Sequence, residues 1–257
     1  MTPRIAIPVP NSKNSKYVMR ALPQYEHAVR EAGGEPVIVD VNATSNEIAQ
    51  KAKTCDGVLL PGSPADVDPE KYSATRHPRT ADSDALRDNS DELLLQDAYN
   101  MRKPIFGICY GMQSLNVWRG GSLVQHLDTA VIHDAGRNVT EAHSIEVAPR
   151  STLQKILGKT GGNAATFTVN SSHHQSVDVL GDGLRLVATS PDDHIKEAME
   201  GTAEDHFVLC VQWHPERTYD SDDSSRALFQ AFIRAAAEWH KRLAIKQKDF
   251  ESVAGKH

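Results

Sequence analysis

The stretch PIFGICYGMQSLN, residues 104–116, joins a short apolar run to a segment with helical pattern. Residues 105–108 predict a buried strand, and the residues after Cys109 predict a helix. Gly107 and Gly111 flank Cys109 with the spacing of a nucleophile elbow, a strained turn that lifts a reactive side chain above the end of a sheet. The start of a helix favours thiolate, so we expect a lowered pKa for the Cys109 thiol and an oxyanion donor in the Tyr110 N–H. The alternative is a small buried cysteine that only packs.

The segments on both sides of this corner alternate between strand and helix patterns. Such alternation predicts an α/β protein with a central, mostly parallel sheet flanked by helices in three layers. The predicted strands of this part are residues 5–9, 36–41, 57–60 and 105–108, and the predicted helices are residues 18–32, 46–53 and 83–100.

After residue 120 the pattern changes to shorter β-prone segments, which predict an additional antiparallel section of the sheet. These segments are residues 143–148, 166–169, 184–188, 195–199 and 207–212. An apolar stripe at helical spacing predicts a final amphipathic helix over residues 224–243. We therefore expect one domain over residues 1–245, with a long loop at 61–84, and a polar C-terminal tail at 246–257.

Composition limits the partners. The 257 residues carry a formal net charge of −6 and no long basic cluster, so nucleic acid and anionic membranes are not expected partners, whereas a small molecule is. No apolar run reaches the length of a membrane span or a signal-peptide core, so we expect a cytoplasmic protein.

The cysteines Cys55, Cys109 and Cys210 lie far apart, which favours neither a disulfide framework nor a cysteine zinc site.

Two further segments offer chemistry that a cysteine nucleophile needs. His214 follows an apolar strand, and Pro215 favours extended backbone, so Glu216 faces the same way as His214 and can orient its ring. Gly62 also follows a strand, where its N–H can approach a substrate oxygen. Each segment alone is also compatible with an ordinary surface turn.

The adjacent pair His173 and His174 raises the question of a metal. Neighbouring side chains on an extended segment point to opposite faces, and no HExxH or comparable spacing occurs, so we expect no metal and no cofactor.

Taken together, Pro61-Gly62, Gly107 to Gln113 and His214-Pro-Glu216 resemble the class I glutamine amidotransferase fold. Within it, the chain is most similar to the gamma-glutamyl-gamma-aminobutyrate hydrolase family over residues 4–236. This narrower match rests on Leu60-Pro-Gly followed by Asp66 to Tyr72, on Asn116-Val with Gly120 to Gln125, on Val169-Asn-Ser-Ser-His-His-Gln175, and on Ala188-Thr-Ser190 and Glu197-Ala-Met-Glu200.

The resemblance implies a cysteine hydrolase that cleaves the amide of a small gamma-glutamyl amine through a gamma-glutamyl thioester and releases glutamate and amine, as in polyamine catabolism. Cys109 would be the nucleophile, His214 the proton shuttle and Glu216 its orienting group. The N–H groups of Gly62 and Tyr110 would form the oxyanion hole. The residues implied to bind the glutamyl portion are Gln113, Ser171, Ser172 and His173.

Three positions depart from the family pattern: Ser63 stands where Gly is common, Tyr110 where Arg is frequent, and His194 where Gly is frequent. None of them removes a catalytic group, but they leave the accepted amine open. Two other functions remain alternatives: a glutaminase subunit that passes ammonia to a separate synthetase, and a noncatalytic binding protein on the same fold. The chain holds no GxxxxGK[ST] loop for ATP. A homodimer is an open possibility for the assembly.

Overall fold

A computed structural model describes residues 2–158 and 163–254, and the side chains up to residue 245. The strands are β1 (Arg4–Pro8), β2 (Glu35–Val39), β3 (Gly57–Leu60), β4 (Ile105–Ile108), β5 (Leu123–Val124), β6 (His143–Val147), β7 (Ala165–Val169), β8 (Ser176–Val177), β9 (Leu184–Thr189), β10 (Lys196–Gly201) and β11 (Val208–Val211). The helices are α1 (Ser15–Glu31), α2 (Ser45–Lys53), α3 (Ala85–Met101), α4 (Tyr110–Trp118), α5 (Thr152–Ile156) and α6 (Asp223–Ala254).

Nine strands form one sheet in the order β2-β1-β3-β4-β11-β10-β9-β6-β7. The pairs from β2 to β11 are parallel, and those from β11 to β7 are antiparallel. The parallel half with an antiparallel extension confirms the predicted fold class. The two-residue strands β5 and β8 form a separate antiparallel pair that the sequence pattern did not predict.

Helices cover both faces of the parallel half, each with its own apolar core. On one face, Tyr25 and Val29 of α1 and Phe229 and Phe232 of α6 pack against Phe106 of β4. On the other face, buried side chains of α2, α3 and α4 pack together, among them Ile48, Leu94, Leu95, Met112 and Leu115. The sheet therefore lies between two helical layers, and its central strands are buried on both sides.

Polar caps fix where the predicted helices begin. Thr44 and Glu47 form a capping box at α2, in which each side chain satisfies a backbone N–H of the other residue. Asp222 accepts the N–H of Ser225 and caps α6, as expected for an acidic group at a helix start.

The end of the last helix differs from the prediction. Helix α6 continues to Ala254, beyond the expected residue 243, so residues 246–254 of the predicted polar tail are helical, and residues 255–257 lie outside the described part. The absence of an apolar face in this stretch does not prevent a helix that begins on the core from continuing along the chain.

Candidate active site

Three chain segments leave neighbouring parallel strands at their carboxyl ends. Gly62 lies just beyond β3, Cys109 follows β4 and His214 lies just beyond β11, and these strands are adjacent in the sheet. A Cβ atom built on Gly62 would lie 2.9 Å from His214 Cε1 and 3.6 Å from Cys109 Cβ. The three segments therefore meet at one point, where open parallel sheets collect their ligands.

Cys109 occupies the strained corner that the sequence predicts. Its backbone has φ 51° and ψ −106°, its N–H donates to the Val211 carbonyl at 2.8 Å, and α4 begins at the next residue. A Cβ on Gly111 would lie 2.2 Å from the Leu60 carbonyl oxygen, so only glycine lets α4 approach β3 this closely. Positive φ at a non-glycine residue is costly and concentrates at functional sites.

The expectation of a lowered thiol pKa is wrong for this structure. Burial raises the pKa of Cys109 to about 12; the Arg217 charge opposes this, the Glu216 charge adds to it, and the Tyr110 N–H opposes it. The thiol is 6% exposed, so the loss of solvation outweighs the helix end beneath it. At rest the sulfur therefore carries its proton.

His214 lies beside Cys109 as a neutral base. Its Nδ1 lies 2.8 Å from Glu216 Oε1, and because a carboxylate accepts, Nδ1 carries the proton and Nε2 presents a lone pair. Burial lowers the pKa of His214, although Glu216 opposes the shift. Within the described residues Nε2 has no hydrogen-bond partner, so it is available to take a proton.

Asn170 fixes the backbone that carries His214. Its Nδ2 donates to the His214 carbonyl and its Oδ1 accepts the His214 N–H, each at 2.8 Å. Two bonds to one residue hold the imidazole against the corner. Asn170 belongs to the Asn-Ser-Ser-His-His motif, but no local pattern indicates that it positions the histidine.

A cavity of about 660 Å³ opens over this corner and is lined by both Cys109 and His214. Its polar wall includes Asn14, Asp134 and Ser172. Four cationic side chains also line it: Lys16, Arg20, Arg137 and Arg217. The cavity can therefore hold a small anionic molecule next to a cysteine and a base.

Another cavity, of about 300 Å³, lies on the far side of Trp213, against Phe167 and Leu228. It is lined by neither Cys109 nor His214, so we do not consider it the reaction site.

The two expected oxyanion donors differ in their surroundings. The Tyr110 N–H faces the Cys109 sulfur. The Gly62 N–H donates to the Tyr25 hydroxyl at 3.0 Å. A substrate oxygen can accept a hydrogen bond from the Gly62 N–H only after the bond from this N–H to the Tyr25 hydroxyl is broken.

Of the four residues expected to bind the glutamyl portion, one lines the cavity and the other three are not among its lining residues. Ser172 lines the cavity, but Ser171 is buried and donates to the His133 carbonyl at 2.5 Å. The buried His173 ring faces Glu197, at 3.7 Å from Nε2 to Oε1. Gln113 is buried in α4, where its Nε2 donates to the Gln175 carbonyl and to Gln212 Oε1, both at 3.2 Å.

Sequence reasoning missed the cationic wall of the cavity. Arg217 directly follows His214-Pro-Glu216, and that position was the one available signal. Lys16 and Arg20 lie on α1 and Arg137 lies in the segment between β5 and β6, where charged residues are ordinarily solvated.

The sheet order, the cysteine corner and the histidine on the neighbouring strand define a class I glutamine amidotransferase-like α/β fold. The glutaminase domain of Trypanosoma brucei CTPS with bound acivicin shares it, with TM-score 0.57 and 19% identity over 92% of this chain and 94% of that one. The chain belongs to the peptidase C26 family, whose model matches residues 7–216.

Two sequence relatives cover most of the chain. It is 31% identical to the gamma-glutamyl-gamma-aminobutyrate hydrolase PuuD of Escherichia coli, with 88% of each chain covered. It is 32% identical to protein NtpR of Enterococcus hirae, with 82% of this chain and 87% of that protein covered. These relationships support assignment of the chain as a hydrolase. In the described parts of the chain, no helix combines the length and apolar character that crossing a membrane requires.

Proposed function

We propose that this hydrolase cleaves the amide bond of a small gamma-glutamyl amine, with Cys109 as nucleophile, His214 as acid and base, and Glu216 as orienting group. The observation that carries the proposal is the shared cavity, in which the Cys109 thiol lies beside an imidazole whose Nε2 is unpartnered among the described residues and whose Nδ1 is bonded to Glu216.

The reaction follows from the protonation states. His214 Nε2 takes the Cys109 proton as sulfur attacks the amide carbon, and the Tyr110 N–H stabilises the oxygen that becomes negative. His214 then gives that proton to the leaving nitrogen, so the amine departs neutral and a gamma-glutamyl thioester remains. Water attacks the thioester and passes a proton to His214, which returns it to sulfur as glutamate leaves.

The cationic wall favours an amine that itself carries a carboxylate. A gamma-glutamyl group brings one carboxylate and one ammonium, and the four cations Lys16, Arg20, Arg137 and Arg217 outnumber Asp134, the acidic residue that also lines the cavity. A gamma-glutamyl-gamma-aminobutyrate-like substrate, with a second carboxylate on the leaving amine, matches this wall. The name of the Escherichia coli relative agrees with such a substrate.

Trapping the acyl-enzyme tests the assignment. The protein is incubated with a gamma-glutamyl substrate or a glutamine-like electrophile and its intact mass is measured, followed by peptide mapping. We expect one adduct, on Cys109, that is absent in Cys109→Ala and retained in the matched variant Cys210→Ala, since Cys210 is a fully buried core residue of β11. Modification of Cys55 or Cys210 in place of Cys109 would refute the mechanism.

One observation favours a second candidate, a glutaminase subunit that a partner activates. The Gly62 N–H is bonded to Tyr25, and binding of a synthetase could turn it toward the substrate. The isolated protein distinguishes the two functions. Rapid release of glutamate from gamma-glutamyl-gamma-aminobutyrate but not from L-glutamine supports the hydrolase, whereas release from L-glutamine that depends strongly on an added synthetase supports the subunit.

A further inference from the structure

Four buried side chains from four separate segments converge beneath the cavity wall. His133 lies in the segment between β5 and β6, His143 begins β6, His173 follows β7, and Glu197 lies on β10. Each is at most 9% exposed, and one nitrogen or oxygen atom from each lies within 4.8 Å of all the others. We call these four residues the His3Glu cluster.

The distances from Glu197 to the three rings match edges of a coordination tetrahedron. Glu197 Oε1 lies 3.2 Å from His133 Nδ1, 3.5 Å from His143 Nε2 and 3.7 Å from His173 Nε2. Ligands about 2.0–2.1 Å from a zinc ion at tetrahedral angles are about 3.4 Å apart. The three contacts of Glu197 Oε1 therefore have the separations of ligands around one small divalent ion, and the three ring nitrogens lie within 4.8 Å of one another.

The outer nitrogens of the rings show that the inner ones present lone pairs. His143 Nδ1 lies 3.1 Å from the Ser144 carbonyl and His173 Nδ1 lies 2.8 Å from the Gln175 carbonyl. A carbonyl only accepts, so each of these outer nitrogens carries a proton, which leaves the inner nitrogen as the lone-pair position of the ring. The third ring, His133, places Nε2 at 2.9 Å from Asp193 Oδ2. Such outer contacts are the usual second shell of metal-binding histidines.

The inner atoms make no hydrogen bond of acceptable geometry in the described structure. Within the residues whose side chains are described, all three inner nitrogens and both Glu197 oxygens have no hydrogen-bond partner. Lone pairs that face a carboxylate in a dry interior are unfavourable unless a cation lies between them. Glu197 and Asp193 together supply two negative charges, which balance one divalent ion.

We propose that His133, His143, His173 and Glu197 bind one zinc-class divalent ion in a closed tetrahedral site. Three imidazoles and a carboxylate are typical ligands of zinc, and no position is left open for water, so the ion has a structural role. The expectation of no metal failed to find this cluster because its members are scattered from residue 133 to residue 197 and only His173 belongs to the visible histidine pair.

The ion would hold one wall of the cavity in place. Residues 125–142 contain neither helix nor strand and only one isolated bridge, between Asp134 and Ser172. His133 anchors this segment, and Asp134 and Arg137 next to it line the cavity. Metal at the His3Glu cluster therefore couples the folding of this segment to the shape of the substrate site.

Metal content measured on the full chain tests the proposal. Protein purified without a metal-affinity tag is equilibrated with zinc chloride, desalted and analysed by inductively coupled plasma mass spectrometry. We expect close to one zinc ion per chain, and at least tenfold less in His143→Asn and Glu197→Gln. The matched control His174→Asn, which changes the adjacent histidine outside the cluster, should keep its zinc.

A second measurement uses the wild-type chain alone, in case the ligand variants do not fold. Cobalt(II) in place of zinc should give the intense visible absorption of a tetrahedral site, and removal of the ion with dipicolinate should lower the melting temperature by about 5 °C or more. A wild-type chain that takes up neither ion would overturn the proposal and leave an imidazolium–carboxylate network. Neither readout depends on which amide the enzyme cleaves.

Discussion

At Cys109, the residue that would perform the chemistry, two opposing influences act on one sulfur. Helix α4 begins beside it and favours thiolate, while burial raises its pKa to about 12. Burial also lowers the pKa of His214, so the resting pair is a neutral thiol beside a neutral imidazole. The proton then moves during attack, in contrast to the preformed ion pair of low-pKa cysteine enzymes.

The protonation state of Cys109 can be read from its alkylation. A raised pKa means that the thiol form dominates at every pH below it, so we expect the rate with iodoacetamide to increase about tenfold per pH unit from 7 to 10 without a plateau. Peptide mapping assigns the rate to Cys109, since Cys55 and Cys210 also have raised pKa values through burial. A plateau near neutral pH would instead indicate a thiolate paired with His214.

The pair His214 and Glu216 gives a second prediction at this scale. Because burial lowers the pKa of His214, the neutral base persists below pH 6.5, and kcat/KM should fall only when the pH drops through that lowered pKa. Glu216 raises the pKa of His214, so Glu216→Gln should move this acid limb to still lower pH and reduce kcat/KM by about 10²–10⁴.

The variant His214→Ala is the reference for that experiment. It should lose nearly all turnover and show no acid limb, because the base is gone. Wild-type rates in His214→Ala, or an unmoved acid limb in Glu216→Gln, would contradict the assigned roles. The pH profile separates orientation of the imidazole from simple destabilisation, which would lower activity without shifting the limb.

At the scale of elements, one buried arginine of α3 ties together the loops that form the site. Arg87 Nε donates to Asp91 at 2.7 Å, and its two terminal nitrogens donate to the Pro10 carbonyl at 2.9 Å and the Pro61 carbonyl at 2.7 Å. Its guanidinium also lies 4.9 Å from the centre of the Tyr110 ring. Helix α3 thereby holds the ends of β1 and β3 against the cysteine corner.

Replacing this arginine should destabilise the protein strongly. Arg87 and Asp91 are both 0% exposed, so Arg87→Leu leaves a buried carboxylate without its partner and should reduce the free energy of unfolding by about 3–5 kcal/mol. The double variant Arg87→Leu/Asp91→Leu should recover part of that loss, because the unpaired charge is removed too. Urea unfolding measures both.

An exposed ion pair at the same spacing supplies the control. Arg30 and Glu26 form an i,i+4 pair on α1, with Arg30 57% exposed, and Arg30→Leu should change the free energy of unfolding by no more than about 0.5 kcal/mol. Equal effects of Arg30→Leu and Arg87→Leu would show that burial of the second pair contributes nothing.

The comparison of Arg87 with Cys109 shows what the sequence can and cannot predict. Strand β4, helix α4 and the corner between them follow from local pattern, because apolar runs and small residues constrain the nearby backbone directly. The Arg87–Asp91 spacing looks the same as that of a solvated helix pair, and only the packing of α3 on the strand ends buries it. The prediction of a lowered pKa for Cys109 failed for the same reason, since the burial of its side chain is set by residues far along the chain.

The strand-end positions illustrate an intermediate case. The first predicted strands are parallel, so Gly62 and Cys109 can be placed together from sequence, because carboxyl ends of parallel strands share one side of the sheet. His214 cannot, since residues 207–212 are expected in the antiparallel section, whereas β11 in fact pairs in parallel with β4. The His3Glu cluster could not, since its members come from antiparallel strands and an irregular segment whose register the sequence does not specify. The bond between Gly62 and Tyr25 likewise depends on how α1 packs.

At the scale of the whole molecule, charge is distributed unevenly. The chain carries a formal net charge of −6, yet four cationic side chains line the cavity that contains Cys109 and His214. An anionic substrate is repelled by the net charge of the chain and attracted by these four side chains. Such an arrangement increases the rate at which the substrate reaches the cavity more than it increases the binding energy. Salt screens these charges over about 10 Å at 0.1 M.

Salt dependence should therefore distinguish substrates by the charge of the leaving amine. For gamma-glutamyl-gamma-aminobutyrate, kcat/KM should fall several-fold between about 0.02 and 0.5 M sodium chloride, whereas gamma-glutamyl ethylamide, which lacks the second carboxylate, should change far less. Arg137→Gln should weaken the salt dependence for the anionic substrate. Arg226→Gln, which removes a cation of α6 that does not line the cavity and is paired with Asp223, should leave it unchanged. The same salt dependence for both substrates would mean that the cationic wall does not select the leaving group, and the anionic amine would have to be abandoned as the preferred substrate.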